Sequence, residues 1–428
     1  MLNTYITAIH SGFFPVIVKI LFIAVPIILP IYLFVLFWNT RFKWLTMNFV
    51  NNQKKCLLEI RLPKEILKSP AAMEIFFSHL NQSGAGNLGE AFLDGKTRPW
   101  FSLELVSTGG QVRFFIYCSQ SKYRNLVEAQ LYAQFPNIEI FEVPEDYTKD
   151  FYYDSEKIAL FGTQYTLTKP DPFPIKTYID YGLDKDQKDE YKIDPITSVI
   201  EYLGSMKPGE NAWIQILIQK HESEGFLHNK YGKGKDIKKE LKDEIEKIRK
   251  ETMPPPEKGE DKAAMKFPNP TKGQTDRIVA LERSGTKTPF DCMIRSIYIA
   301  DKTAFNPANI GGLVGGLKQY SSNSLNGFKP SFTTDVSDVR KDLARVLPFM
   351  NKSNDTKIHK AKEGLLYAYK LRSFFQGPFQ GFGGNKPFVL TTEELATIFH
   401  FPGGIVSQTP TLKRVESKKS EAPANLPI

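Results

Sequence analysis

Cysteine is scarce in this chain. Cys56, Cys118 and Cys292 are the three present, far apart and two of them inside apolar, strand-like runs. That excludes a disulfide framework or a thiolate metal site, and they read as buried, reduced thiols of a cytosolic protein. Histidine is nearly as sparse. None of His10, His79, His221, His228, His359 and His400 falls in a His-Glu-x-x-His helix or beside a cysteine pair, so packing and surface roles are expected. A phosphate-binding loop is missing too. In "GGLVGGLKQYSS", Gly311 to Ser322, Leu317 separates Gly316 from Lys318, and in "SGTKT", Ser284 to Thr288, Thr286 stands where the lysine belongs. Ser119 and Lys122 share a Ser-x-x-Lys spacing, yet the Lys-Thr-Gly of that chemistry is nowhere in the chain. The expectation is a non-enzymatic protein with no catalytic residues, no metal and no cofactor.

Charge is what the beginning lacks. From Phe13 to Trp38 the chain carries a single charge, Lys19. A helix of ~26 residues spans ~39 Å, enough to cross a bilayer with some tilt. Lys19 lies near one end, where its stem can snorkel, and Pro26 and Pro30 would kink a lipid-embedded helix without abolishing it. Trp38 and Trp44 suit the far interface. No small-residue cleavage site follows, which favours a retained anchor over a signal peptide. The ten residues ahead of the run hold no Lys or Arg, whereas Arg41, Lys43, Lys54 and Lys55 crowd behind it. By the positive-inside bias the N-terminus lies outside an inner (plasma) membrane, crossed once, and the body lies in the cytoplasm.

Over the whole chain 56 Lys and Arg face 47 Asp and Glu, a net +9 that suits an anionic surface without identifying one. Behind the anchor, Cys56 to Leu62 reads as a strand, and Ser69-Pro70 opens a helix carrying Met73, Phe76, Phe77 and Leu80. Phe101, Leu103 and Leu105 alternate with polar residues, "STGG" turns, and Val112, Phe114 and Ile116 alternate again: a hairpin. Tyr123, Val127, Leu131 and Phe135 step along a helix, and "NIEIFEV" returns as a strand. The order is the βαββαβ of a ferredoxin-like unit. A second pass begins at "PIKTYIDY", Pro174 to Tyr181. It continues through a helix opened by Asp194-Pro195, strands at 211–220 and 290–300, and a helix over about 306–320. The fold class is therefore α+β, a transmembrane helix followed by tandem ferredoxin-like units. The expected division is 1–50 anchor and juxtamembrane segment, 51–150 first unit, 151–385 second unit, and 386–428 a capped helix with an extended strap.

A charged helical insertion interrupts the second unit at about 222–289. Ile237, Leu241, Ile245 and Ile248 form a stripe there, with Asp243/Lys247 and Glu246/Lys250 at i,i+4. It reads as a solvated charged helix on a tolerant loop, or as a projection that meets a partner. On the hairpin strand "QVRFFIYC", Arg113, Phe115 and Tyr117 share the face opposite Val112, Phe114 and Ile116. Such a face could stack bases, although the glycines of the usual RNA-binding strand are missing.

The ending carries a resemblance. "KPFVLTTEELATIFHFPG", a Thr-Pro strap and "PANLP" resemble the segment that precedes the motor domain in membrane-bound type IV secretion and conjugation ATPases of the HerA, TraD and FtsK-like kind. The matching positions are Thr391, Thr392, Glu393, Glu394, Leu395, Ala396, Phe399, His400, Pro402, Gly403, Pro410, Pro423, Asn425, Leu426 and Pro427. The stretch from Phe101 to Val143 also resembles that family's pre-motor region. No motor follows, so its ATPase activity is not carried over. The resemblance implies a membrane-anchored assembly subunit of a DNA-transfer system that docks a separate motor ATPase, with self-association open. Thr392, Glu393, Glu394, Phe399, His400, Pro402, Gly403 and the strap positions would be docking residues. The other expectation is a membrane-tethered single-stranded nucleic-acid-binding protein using Arg113, Phe115 and Tyr117.

Overall fold

The computed structural model describes residues 13–63, 68–82, 88–185, 193–222, 236–252, 269–334, 348–374 and 387–403. They fall into two compact units, residues 1–52 with 85–97, and 53–84 with 98–428.

The first unit is built on α1 (Phe13–Asn52), 40 residues long and continuous through Pro26 and Pro30. Its apolar side chains from Leu21 to Phe37 are almost all exposed, and it is long and apolar enough to cross a membrane. Beyond Trp38 the helix turns amphipathic: Phe42, Thr46 and Val50 are buried, and Thr46 Oγ1 donates back to the Phe42 carbonyl (2.9 Å). A short helix, α2 (Ala71–His79), belongs to the other unit, but α3 (Leu88–Leu93) belongs here, and its chain turns at Gly95 with φ +68°. A β-carbon on Gly95 would lie 2.4 Å from the Leu45 carbonyl carbon, so glycine is demanded both by φ and by space.

The second unit is one antiparallel sheet with elements on both faces. In chain order it runs β1 (Cys56–Arg61), α2, β2 (Trp100–Thr108), β3 (Gln111–Cys118), α4 (Arg124–Gln134), β4 (Glu139–Glu142), β5 (Ile158–Leu167), α5 (Pro195–Gly204) and β6 (Glu210–Lys220). Then follow α6 (Ile237–Glu251), α7 (Lys272–Gly285), β7 (Pro289–Asp301), α8 (Ala308–Gly315), β8 (Phe328–Thr333), α9 (Pro348–Lys370), β9 (Phe388–Thr391) and α10 (Thr392–Ile398). The strand order is β4-β1-β3-β2-β6-β7-β5-β8, with β9 pairing the start of β7 in line with β5. Each half thus repeats one order, fourth-first-third-second, and the sheet is continuous across the two through β2 and β6, paired from Trp100↔Gln219 to Thr108↔Asn211.

Much of the first half follows from its sequence. Phe101↔Cys118 through Thr108↔Gln111 form the hairpin, and Gly109 and Gly110 supply its positive φ at 55° and 87°. The second half differs from expectation at its first strand. Residues 174–177 have no regular structure and 178–181 form a turn, where Asp180 Oδ2 accepts from the Thr177 backbone N–H (2.9 Å), and Pro170, Pro172 and Pro174 suit such a path better than a ladder. The strand is β5, whose Gly162, Thr163 and Gln164 blurred its apolar signal. The insertion does not project alone. Leu241, Ile245 and Ile248 of α6 pack against Leu281 of α7, with Phe173 and Ile278 beside them. Lys250 pairs with Glu246 (2.7 Å) as its spacing suggests, whereas Lys247 takes Glu244 (2.5 Å) in place of Asp243.

One sheet face carries the larger core, where Leu58, Leu103, Phe114, Ile216 and Ile294 meet Phe76, Leu131, Ile200, Leu313 and Leu395 from helices α2, α4, α5, α8 and α10. The opposite face buries Val106, Phe115, Trp213, Ile297 and Ile299 under Leu365, Leu366 and Tyr369 of α9. All three cysteines are buried, and Cys56 opposes Cys118 directly in the β1–β3 register, a proximity their sequence separation conceals.

Candidate assembly site

The residues expected to dock a partner gather around α10, and the structure puts them indoors. Thr391 leaves β9 in an extended conformation and caps the helix. Its Oγ1 accepts from the Glu394 N–H (3.4 Å), while Glu394 Oε2 accepts from the Thr391 N–H (2.8 Å) and hydroxyl (2.8 Å). The sequence leaves the cap open between Thr391 and Thr392, and the structure takes Thr391, in a capping box with Glu394. Yet every residue of the helix, Thr392 to Ile398, is buried. It packs on α2 from the first half and α5 from the second, across the seam.

Specific bonds fix it there. Glu394 Oε1 accepts from the Ile175 N–H (2.9 Å), Glu393 Oε1 accepts from the Thr177 hydroxyl (2.6 Å) and meets Arg283 Nε (3.0 Å), and Thr397 Oγ1 accepts from the Tyr178 N–H (2.9 Å). Lys287 joins Glu393 (3.8 Å) to Glu74 of α2 (2.7 Å). At the far end His400 Nδ1 donates to the Ala396 carbonyl (2.8 Å), and Nε2 meets Asp194 Oδ1 (2.9 Å), the residue that caps α5. Both ring nitrogens face acceptors, an arrangement that the doubly protonated imidazolium satisfies. Phe399 and Phe401 close on Phe114 with centroids 5.8 and 5.6 Å away, and Phe401 on Phe135 at 5.0 Å.

The electrostatics follow from that burial. Glu394 is pushed up to about 7 by desolvation, against the bonds from Thr391 and Ile175 that favour its charged form. Glu393 is raised for the same reason, despite Thr177, Arg283 and Lys287. Burial also presses Asp194 upward, but the His400 charge and the hydrogen bonds from His400, Ile196 and Gly403 outweigh it and hold that carboxyl below its usual range.

Thr392, Glu393, Glu394, Phe399 and His400 are therefore packing and positioning residues. Pro402 is buried and Gly403 half-buried, while Pro410, Pro423, Asn425, Leu426 and Pro427 lie outside the described residues. Phe13, Lys19, Pro26, Pro30 and Trp38 all lie on α1.

The stacking face is likewise occupied. Phe115 is fully buried and stacks on Tyr147 at 5.0 Å, and the Arg372 guanidinium lies 4.8 Å from the ring of Tyr117. Arg113 is half-exposed and donates to Thr108 Oγ1 (3.3 Å). With its aromatics covered, this strand offers no open platform to a base. Beside Phe115 in the sheet, level with Glu104, runs a buried polar row. Gln164, Arg295, Gln215 and Glu104 oppose one another across β5, β7, β6 and β2. Arg372, just past α9, binds Glu104 twice (2.9 and 3.1 Å) and also Asp146. Tyr147 donates to Glu104 (2.7 Å) and contacts Tyr369 (2.9 Å). Gln215 donates to Glu104 (3.2 Å) and accepts from Arg295 (3.2 Å). Two guanidinium groups and two carboxylates share the cluster. Burial lowers Arg295 to about 10, whereas Glu104 and Asp146 outweigh it at Arg372 and raise that group. The sequence held one signal for this row, Glu104 and Gln215 inside otherwise apolar strands, which also fits an exposed face. Among the described residues, no group of three or more His, Cys, Asp or Glu is placed to hold a metal ion.

An apolar helix of membrane-crossing length and an antiparallel sheet packed on both faces define an α+β protein with a candidate anchor at its N-terminus. Residues 48–411 match the domain of unknown function DUF8128, and the chain belongs to that family. No curated protein matches it.

Proposed function

We propose that the chain is a membrane-anchored assembly subunit of a type IV secretion or conjugation-like DNA-transfer system. Its part is to hold a separate motor ATPase of the HerA, TraD and FtsK-like kind at the membrane, a role that needs no catalytic group of its own. The observation that carries the reading is the seating of β9 and α10. Hydrogen bonds and three aromatic contacts tie this segment to both halves of the sheet, so the chain beyond Gly403 starts from a fixed point. In this reading the docking role passes from the buried helix to residues 404–428, whose Pro-rich, basic sequence suits an extended strap. Each half, with its fourth-first-third-second strand order, is a ferredoxin-like unit, and the two are joined through their second strands. The Lys and Arg excess behind Trp38 favours a cytoplasmic body.

Two measurements test this. Deleting Thr409 to Ile428 should leave the thermal transition of the body unchanged and abolish co-purification with the motor. Retained motor association would sink the strap as the docking element. Alkaline phosphatase fused after Ile428 should be inactive in cells, and an active fusion would reverse the topology.

A further inference from the structure

We infer that α1 and the segment clasping it form a collar bedded in the headgroup layer of the bilayer, so that the chain meets lipid at the membrane surface as well as along its span. The inference rests on the membrane reading of α1 and adds a second lipid contact to it.

The helix does not stop with its apolar run but continues unbroken to Asn52. Along the extension Phe42, Thr46 and Val50 are buried, while Trp44 is 64% and Met47 39% exposed. The clasp fixes a height on this helix. Gly95 approaches so closely that a β-carbon there would stand 2.4 Å from the Leu45 carbonyl carbon and 2.6 Å from the Thr46 nitrogen. Two residues earlier Leu93 is 68% exposed. Trp44 and Leu93 are thus large apolar side chains left uncovered near one level of the helix, one on α1 and one on the clasp.

That level is set by helix geometry. Trp44 and Leu45 lie ~9–11 Å beyond Trp38 along the axis. The hydrocarbon is ~30 Å thick within a bilayer of ~40–45 Å, which leaves a headgroup layer of roughly 5–8 Å on each side. An apolar run of ~39 Å fits ~30 Å of hydrocarbon when the helix tilts by roughly 40°, which shortens the step beyond Trp38 to ~7–8 Å along the bilayer normal and draws one side of the collar into the headgroup layer. Indole rings settle at this depth, part apolar and part hydrogen-bonding. Exposed Arg41 and Lys43 flank Trp44 and can face lipid phosphates. A lipid surface fits better than a soluble protein because the uncovered apolar groups are few, lie within two turns of the apolar span and stand beside cations, instead of forming a broad patch.

The test uses the full chain in nanodiscs of phosphatidylcholine and phosphatidylserine. An environment-sensitive fluorophore is placed on Trp44→Cys, on Leu93→Cys and, as a control in the body, on Ile193→Cys, a site 71% exposed; the native cysteines are buried. Labels at 44 and 93 should be quenched several-fold more by headgroup-proximal spin-labelled lipid than the label at 193, and should be shielded from aqueous iodide. In Gly95→Val the label at 93 should lose that shielding while the label at 44 keeps it. Disc-bound protein whose labels at 44 and 93 behave like the one at 193 would overturn the collar and leave the anchor standing. Shielding at 93 that survives Gly95→Val would overturn the clasp as its seat. Failure of the chain to enter discs at all would remove the anchor reading, and the collar with it.

Discussion

The two faces of the sheet solve the same problem in opposite ways. On the helical face the centre is hydrocarbon, and charge is kept to the margins: the ends of α10, where Glu393 meets Arg283 and Lys287 and His400 meets Asp194, and the start of β6, where Glu210 accepts from Tyr298 and Asn309. On the face under α9 the charges sit at the centre, with Arg372 and Arg295 against Glu104 and Asp146, linked through Gln215. Hydrocarbon packs wherever volumes fit, so the first face draws its strength from area. The second is specified by partners: a buried charge tolerates only one arrangement, and Arg372 holds its place even with φ at +46°, a region costly for a non-glycine residue. Arg372 therefore fixes the chain as it leaves α9.

Removing Arg372 should break that contrast most sharply. Arg372→Met strands the Glu104 carboxylate at the sheet centre and should cost about 3–5 kcal/mol, read as a lowered urea midpoint. Replacing both partners, Arg372→Met with Glu104→Leu, should recover part of that loss. A double variant as unstable as the sum of the two singles would mean that the pair contributes no coupling. On the other face Phe399→Ala should cost about 3–4 kcal/mol through its cavity against Phe114, and no second substitution of a charged group should repair it.

How far the sequence exposed this layout depends on what each residue type can signal. The hairpin was legible because alternation and two glycines are local facts. The cap of α10 was legible only as one of two adjacent threonines, and the bond between Thr391 and Glu394, three residues on, selects the first. The destination of α10 was not. A short helix with Thr392, Glu393 and Glu394 at its start looks amphipathic and surface-bound, and only long-range partners such as Ile175, Thr177 and Asp194 bury it. For the same reason Phe115 and Tyr117 resembled an open stacking face, because their cover comes from Tyr147 and Arg372, distant in the chain. β5 was missed because Gly162 makes room for Leu365 of α9, a demand of packing that breaks the apolar pattern.

Proton linkage separates the faces next. Glu394 has a folded value of about 7 against an ordinary 4.5, so the folded protein holds this proton more tightly than the unfolded chain. Its contribution is fully present below about pH 4.5 and is lost as pH rises through about 7, worth roughly 3 kcal/mol at most. Glu393 is raised too and acts in the same direction. Urea midpoints taken at about pH 5 and about pH 8 should fall for the native chain, and the fall should shrink in Glu394→Gln. An equal fall in the variant would assign the slope to other groups.

The smallest effect is expected away from both faces. Glu246 and Lys250 on α6 form a pair at 2.7 Å, a shorter separation than most contacts around Glu393, but their side chains are 63% and 70% exposed. Water already solvates both ions, and ordering two long side chains offsets most of what their attraction supplies. Glu246→Gln should therefore leave the urea midpoint where it was, at low salt and at high salt alike. A clear loss that added salt abolished would show that the α6 surface is held by charge. The stripe of Leu241, Ile245 and Ile248 against Leu281 would then not suffice to hold the two helices together.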